Sequence, residues 1–150
     1  MTVVQETETV VVERVINASQ ETLFEMWTDP KKLVTWFSAE ADLDPRPGGI
    51  MNLTMGGKIV PGEEDAALQS LGHYLVVEPH SHLEFTWGFA AERVGVPPES
   101  SNVAVDFIPQ DEGTLVRVTH TGLPAGRDTS PYSERKGWTA MLEHLEDEVA

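Results

Sequence analysis

The chain has no cysteine, which excludes disulfides, thiolate nucleophiles and Cys-ligated metals and suits a reducing compartment. It is also poor in cations. Ten Lys and Arg stand against twenty-five Asp and Glu, for a formal net charge of -15. No basic stripe remains to neutralise phosphates, so nucleic acid is not an expected partner and an anionic membrane surface is a poor one. No apolar run approaches the ~20 residues of a spanning helix, so membrane insertion is not expected. Met1 to Glu8 has neither a basic start nor a continuous apolar core. It reads as a flexible N-terminus, not a secretory signal, and a cytoplasmic location is expected. Aromatics are few, 7% of residues with only two tyrosines, so each large ring is a large share of what can fill the interior.

What is present fits one soluble domain over residues 1–150. At this length a chain buries roughly 70% of its unfolded surface, and no repeat, low-complexity tract or linker divides it. A valine-rich strand is expected over about Glu8 to Ile16, with Glu13 and Arg14 putting one charge on each face. Ser19 caps a short helix to about Trp27 with Leu23, Phe24 and Trp27 as its buried stripe, and Glu21 suits its first turn. Asp29-Pro30 opens a second short helix bearing Leu33, Trp36 and Phe37, because Pro ends one helix and suits the start of the next.

Strands and turns follow. Ala39 to Asp44, Ile50 to Met55, Ser70 to Val77, Leu83 to Trp87, Asn102 to Ile108 and Thr114 to Thr121 alternate apolar and polar residues between turn signals. Gly56 to Gln69 and Gly88 to Ser100 are longer connections and are candidate lids. From Ser130, Trp138, Met141, Leu142, Leu145 and Val149 repeat at helical spacing, with Ser130 as cap and Pro131 at the first helical position. Strand, two short helices, about six antiparallel strands and one long helix make an α+β fold.

Several groups of residues carry a resemblance. They are Phe24-Glu25-Met26-Trp27-Thr28-Asp29-Pro30 with Trp36, Asp44-Pro45-Arg46-Pro47-Gly48-Gly49, Gly72-His73-Tyr74, Pro79 through Leu83-Glu84-Phe85-Thr86-Trp87, Gly113-Thr114, Thr119-His120-Thr121-Gly122-Leu123 and Gly137-Trp138. In this order they resemble the START-like, or helix-grip, superfamily (SRPBCC), and within it the family named after the activator of the ninety-kilodalton heat-shock protein ATPase. The resemblance implies a curved antiparallel sheet of about seven strands, with two short helices after the first strand and the C-terminal helix packed across the sheet, often around an apolar cavity.

Nucleophile elbows, phosphate loops and dinucleotide fingerprints are absent, and Gly57-Lys58 is followed by Ile59 without the upstream glycine. No cofactor is expected. His80-Ser81-His82 with His73 upstream reads as a turn rather than a metal site. Glu40, Asp42 and Asp44 share one strand face and read as a solvated edge in preference to an acid and base pair, because three buried like charges are costly. Gly137 costs about 1 kcal/mol relative to Ala inside a helix, which points to a strand or a ligand passing close to it.

His120 has the parity of Val116 and Val118 and so points inward, where it is either a satisfied core histidine or a proton-transfer and hydrogen-bonding group. Tyr74, on the face of Gly72 and Val76, puts a hydroxyl in the same interior. With these two, Trp36, Met51, Met55, Phe85, Trp87, Trp138 and Met141 line either a core or a pocket. The resemblance favours the pocket, so the expected function is binding of a small hydrophobic molecule between sheet and helix. An enzyme of cyclase or dehydratase type, with His120 as acid or base, is the alternative. A chaperone partner is not expected, because the namesake co-chaperone resembles this chain only in its C-terminal domain. A homodimer is left open.

Overall fold

In the computed structural model, which describes residues 6–55, 68–127 and 133–150, the chain runs through seven strands and three helices. They are β1 (Thr7–Ile16), α1 (Gln20–Thr28), α2 (Pro30–Leu33), β2 (Glu40–Leu43), β3 (Ile50–Met55), β4 (Leu68–Glu78), β5 (His82–Trp87), β6 (Ser101–Gln110), β7 (Gly113–Pro124) and α3 (Glu134–Val149), with a three-ten turn at Glu92–Val94. No helix among the described residues is long and apolar enough to cross a membrane.

The strands form one curved sheet in the order β1-β7-β6-β5-β4-β3-β2, every neighbouring pair antiparallel. The two short helices carry the chain from one edge strand, β1, to the other, β2. From there each strand pairs with the next until β7 returns beside β1. This is the α+β helix-grip architecture.

Local chemistry sets the element ends. Ser19 accepts a hydrogen bond from the Thr22 N–H, and Asp29 does the same for Lys31, with Pro30 at the opening of α2. These caps satisfy donors that a helix start leaves unpaired. α2 is one turn long, so Trp36 and Phe37 follow it in a turn instead of riding on it. β4 and β5 are joined by Glu78-Pro79-His80-Ser81, with the Ser81 N–H donating to the Glu78 carbonyl at 3.1 Å. His80 has φ of 69°, so this is a type II turn with proline and then a left-handed residue.

Helix α3 starts at Ser133, whose side chain accepts from the Lys136 N–H. The expected start at Ser130 and Pro131 lies outside the described residues. Its N-terminal Glu134 is buried against Arg127, with Oε2 at 3.1 Å from Nε, while Glu146 near the far end holds Arg14 of β1 at 2.9 Å. Arg14 therefore faces the helix, and Glu13 faces outward to Arg117 at 2.6 Å.

The core lies between the sheet's inner face and the helices. Met51, Leu53, Met55, Leu83, Phe85, Trp87, Val103, Val105, Phe107, Val116 and Val118 project inward from the strands, and Leu23, Trp27, Trp138, Met141, Leu142 and Leu145 come from α1 and α3. One expectation about faces needs correction. The β4–β5 register shifts between Tyr74 and Val76, leaving Leu75 as an exposed extra residue. A bulge of one residue reverses the parity beyond it. Val77, not Val76, therefore packs against the core that contains Tyr74.

The segment from Gly88 to Ser100 is not free to act as a lid. Phe89 and Val94 are in the core, the Phe89 N–H donates to the Val96 carbonyl at 2.7 Å, and the Ala90 N–H donates to Gln69 at 2.9 Å. The other proposed lid lies, for residues 56–67, outside the described residues, and its last two residues, Leu68 and Gln69, belong to β4.

Candidate functional site

Period-two alternation on the strands and the i, i+3 spacing on α3 turn eight of the nine candidate side chains to one interior, and the turn after α2 adds the ninth. Met51 and Met55 come from β3, Tyr74 from β4, Phe85 and Trp87 from β5, His120 from β7, Trp138 and Met141 from α3, and Trp36 from the turn after α2. None is more than 5% exposed. Phe85 and Trp87 have ring centroids 6.1 Å apart, Trp87 and Trp138 are 5.4 Å apart, and Tyr74 meets Phe85 edge-on at 6.3 Å. Edge-on and tilted pairs at such distances are the favoured aromatic arrangements.

Trp27 and Phe37 are central to this cluster, although the sequence offered them only as helix-stripe residues. Trp27 contacts Trp36 at 4.9 Å, Phe37 at 5.6 Å, Phe85 at 6.4 Å and Trp138 at 6.2 Å.

His120 is fully buried and both its ring nitrogens are engaged. The Trp138 indole N–H donates to Nδ1 at 3.0 Å, which puts the ring proton on Nε2. Nε2 lies 2.8 Å from Ser101 Oγ, and the Ser101 hydroxyl passes its own proton to the Trp87 carbonyl at 3.0 Å. Burial, helped by the Arg127 charge, pushes the imidazole pKa down to about 3. His120 is thus a neutral, satisfied core histidine. Ser101 was missed because β6 begins one residue earlier than expected, which gives Ser101 the inward parity of Val103 and Val105.

Tyr74 differs. Its hydroxyl and the Trp27 indole N–H are buried with no hydrogen-bond acceptor among the described residues. Burial first, and then the charge of Asp44, hold the phenol protonated well above its ordinary range. The hydroxyl is therefore a donor across the physiological range.

The remaining histidines of interest separate. His80 packs edge-on against Phe24 at 5.7 Å, and His73 pairs with Glu99. His82 sits between Asp106 at 2.7 Å and Glu84 at 2.8 Å on the outer face. Its burial opposes charge, but the hydrogen bonds to Glu84 and Asp106 outweigh this and raise its pKa. No cluster of three His, Asp or Glu arranged to hold a metal ion occurs among the described residues. Glu40 and Asp42 are exposed on edge strand β2, and Asp44 lies just past its end.

Gly137 departs from expectation. No described atom lies within 4 Å of where its Cβ would stand, so neither a strand nor close helix packing accounts for it.

The family model for Activator of Hsp90 ATPase homolog 1-like protein matches residues 17–150. No curated protein matches the chain. Among solved structures, protein MLL2253 from Mesorhizobium loti is similar with 26% identity and a TM-score of 0.78, over 95% of this chain and 96% of that one. The AHSA1-like protein from Aeromonas hydrophila shares 21% identity with a TM-score of 0.71, over 95% and 92%. DynU16, a putative protein in the dynemicin biosynthetic locus, shares 22% identity with a TM-score of 0.72, over 94% of this chain and 46% of that one.

Proposed function

The chain belongs to the family of Activator of Hsp90 ATPase homolog 1-like proteins, within the START-like superfamily, and on that premise we propose that it binds a small, mainly hydrophobic molecule between the curved sheet and α3. One observation carries the reading. Of the three buried donors with no acceptor among the described residues, Arg14 Nε lies on β1, and two, Tyr74 Oη and Trp27 Nε1, lie in an apolar interior built from broad rings and methionines. Buried polar groups are ordinarily paired, and a bound molecule supplies the missing acceptors. Affinity comes from removing ligand surface from water, at about 25 cal/mol per Å² of apolar area. Trp36, Met51, Met55, Phe85, Trp87, Trp138 and Met141 supply the walls and Tyr74 the orientation. His120 contributes by holding Trp138 in place.

A cyclase or dehydratase reaction run by His120 draws no support from this geometry. Both ring nitrogens are spent within the protein, and a pKa near 3 is far from that of an effective acid or base at neutral pH.

The four tryptophans share one cluster and report on its occupancy. Titration with a neutral hydrophobic probe is expected to change their fluorescence saturably at one site per chain, with displacement by members of a lipid and polyketide panel. A linear, non-saturating response to every compound contradicts the proposal.

A further inference from the structure

We infer that the ligand is a neutral hydrogen-bond acceptor, an apolar molecule carrying a carbonyl-type oxygen that sits at the Tyr74–Trp27 end of the interior. This rests on the binding reading above and narrows its chemical class.

The unmet polar demand is one-sided, all of it from donors, and within the aromatic interior it is local, Arg14 Nε on β1 standing apart from it. Toward β6 and β7 the demand is met, since Trp138, His120, Ser101 and the Trp87 carbonyl form a closed series, and the Trp36 indole donates to the Met26 carbonyl at 3.0 Å. Toward β4 and α1 it is not. Tyr74 is 1% exposed and Trp27 is fully buried, and both rings contact Phe85, at 6.3 Å and 6.4 Å between centroids. The unpaired atom on each is a donor. A donor taken from water without an acceptor is costly, and a carbonyl oxygen supplies two lone pairs without bringing a proton of its own.

Charge argues for neutrality. Asp44 acts on the Tyr74 hydroxyl electrostatically, and the same negative field opposes a carboxylate or phosphate there. Arg46, the neighbouring cation, is turned to solvent and holds Asp44 at 2.8 Å. Arg14, on the inner face of β1, places its charge on Glu146 through Nη2 at 2.9 Å, and its Nε is a further buried donor without a partner among the described residues, on a strand at the opposite edge of the sheet from β3 and β2. The rings of Trp27, Phe85 and Phe37 around this end suit a flat apolar body.

Three molecules of one skeleton test this against the full chain, by tryptophan fluorescence: fluorene, 9-fluorenone and fluorene-9-carboxylate. 9-Fluorenone is expected to bind about tenfold more tightly than fluorene, the worth of a buried hydrogen bond, and the carboxylate most weakly. Tyr74→Phe is expected to remove most of that preference, bringing the affinity for 9-fluorenone down toward that for fluorene measured on the same variant. Its melting temperature is expected to be no lower than that of the parent, because the hydroxyl has no protein partner to lose. Equal binding of fluorene and 9-fluorenone, tightest binding of the carboxylate, or a Tyr74→Phe variant that keeps the full preference overturns the inference while the binding reading stands. If a melting temperature several degrees lower accompanies Tyr74→Phe, the hydroxyl serves the fold and the inference fails. If none of the three molecules binds while the lipid and polyketide panel does, the inference alone fails; if nothing binds at all, both fall together.

Discussion

At the scale of single residues, the series from the Trp138 indole through His120 and Ser101 to the Trp87 carbonyl leaves no ring nitrogen of His120 for another partner. A pH dependence follows. With a pKa of about 3 in the folded protein against an ordinary ~6.5 when unfolded, the unfolded state binds the extra proton between these values. Stability therefore falls as the pH drops through this window, by up to about 1.4 kcal/mol per pH unit from this group. An NMR titration is expected to leave the His120 ring signals still down to about pH 4.5, with the neutral Nε2–H form throughout. His82, held by Asp106 and Glu84, titrates above its ordinary value in the same experiment. A His120 midpoint near 6.5 contradicts the buried network. Strand parity made the inward direction of His120 legible in the sequence. Its partners were not legible, because Ser101 and Trp138 come from a separate strand and helix and no local pattern pairs them.

At the scale of elements, α3 shows which signals are local. Its stripe, Trp138, Met141, Leu142 and Leu145, is buried as the spacing predicted. Ser130-Pro131 and Ser133 are both acceptable openings by local chemistry; Ser133 caps α3, and residues 130 and 131 lie outside the described residues. Gly137 was read through its cost, and a close neighbour was the natural inference. With open space at its Cβ among the described residues, the cost stands without a packing gain. Gly137→Ala is thus expected to raise unfolding stability by about 1 kcal/mol, measured by thermal or urea denaturation. A loss of similar size would mean that something closes on that position. The bulge at Leu75 belongs to the same lesson. A one-residue insertion carries no composition signal, yet it reverses which of Val76 and Val77 reaches the core.

For the whole molecule, the order of alternating segments was enough to specify the sheet, since consecutive antiparallel strands leave few topologies and only β1 pairs out of sequence, with β7. The nine candidate residues were found in one interior for the same reason. Whether such an interior is core or site was not legible, because rings and methionines serve both equally well. What supports the proposed site is hydrogen-bond accounting, visible only once Trp27 and Tyr74 are seen buried without acceptors among the described residues. Binding in that interior is the central claim, and the indole N–H signals of a ¹H–¹⁵N spectrum test it most directly, because the four tryptophans include one unpaired donor and one already paired to His120. On saturation with 9-fluorenone the Trp27 indole signal is expected to move downfield as it gains an acceptor, while the Trp138 signal keeps its hydrogen-bonded position. Unchanged indole signals at saturating ligand, with shifts confined to exposed backbone amides, would contradict the account.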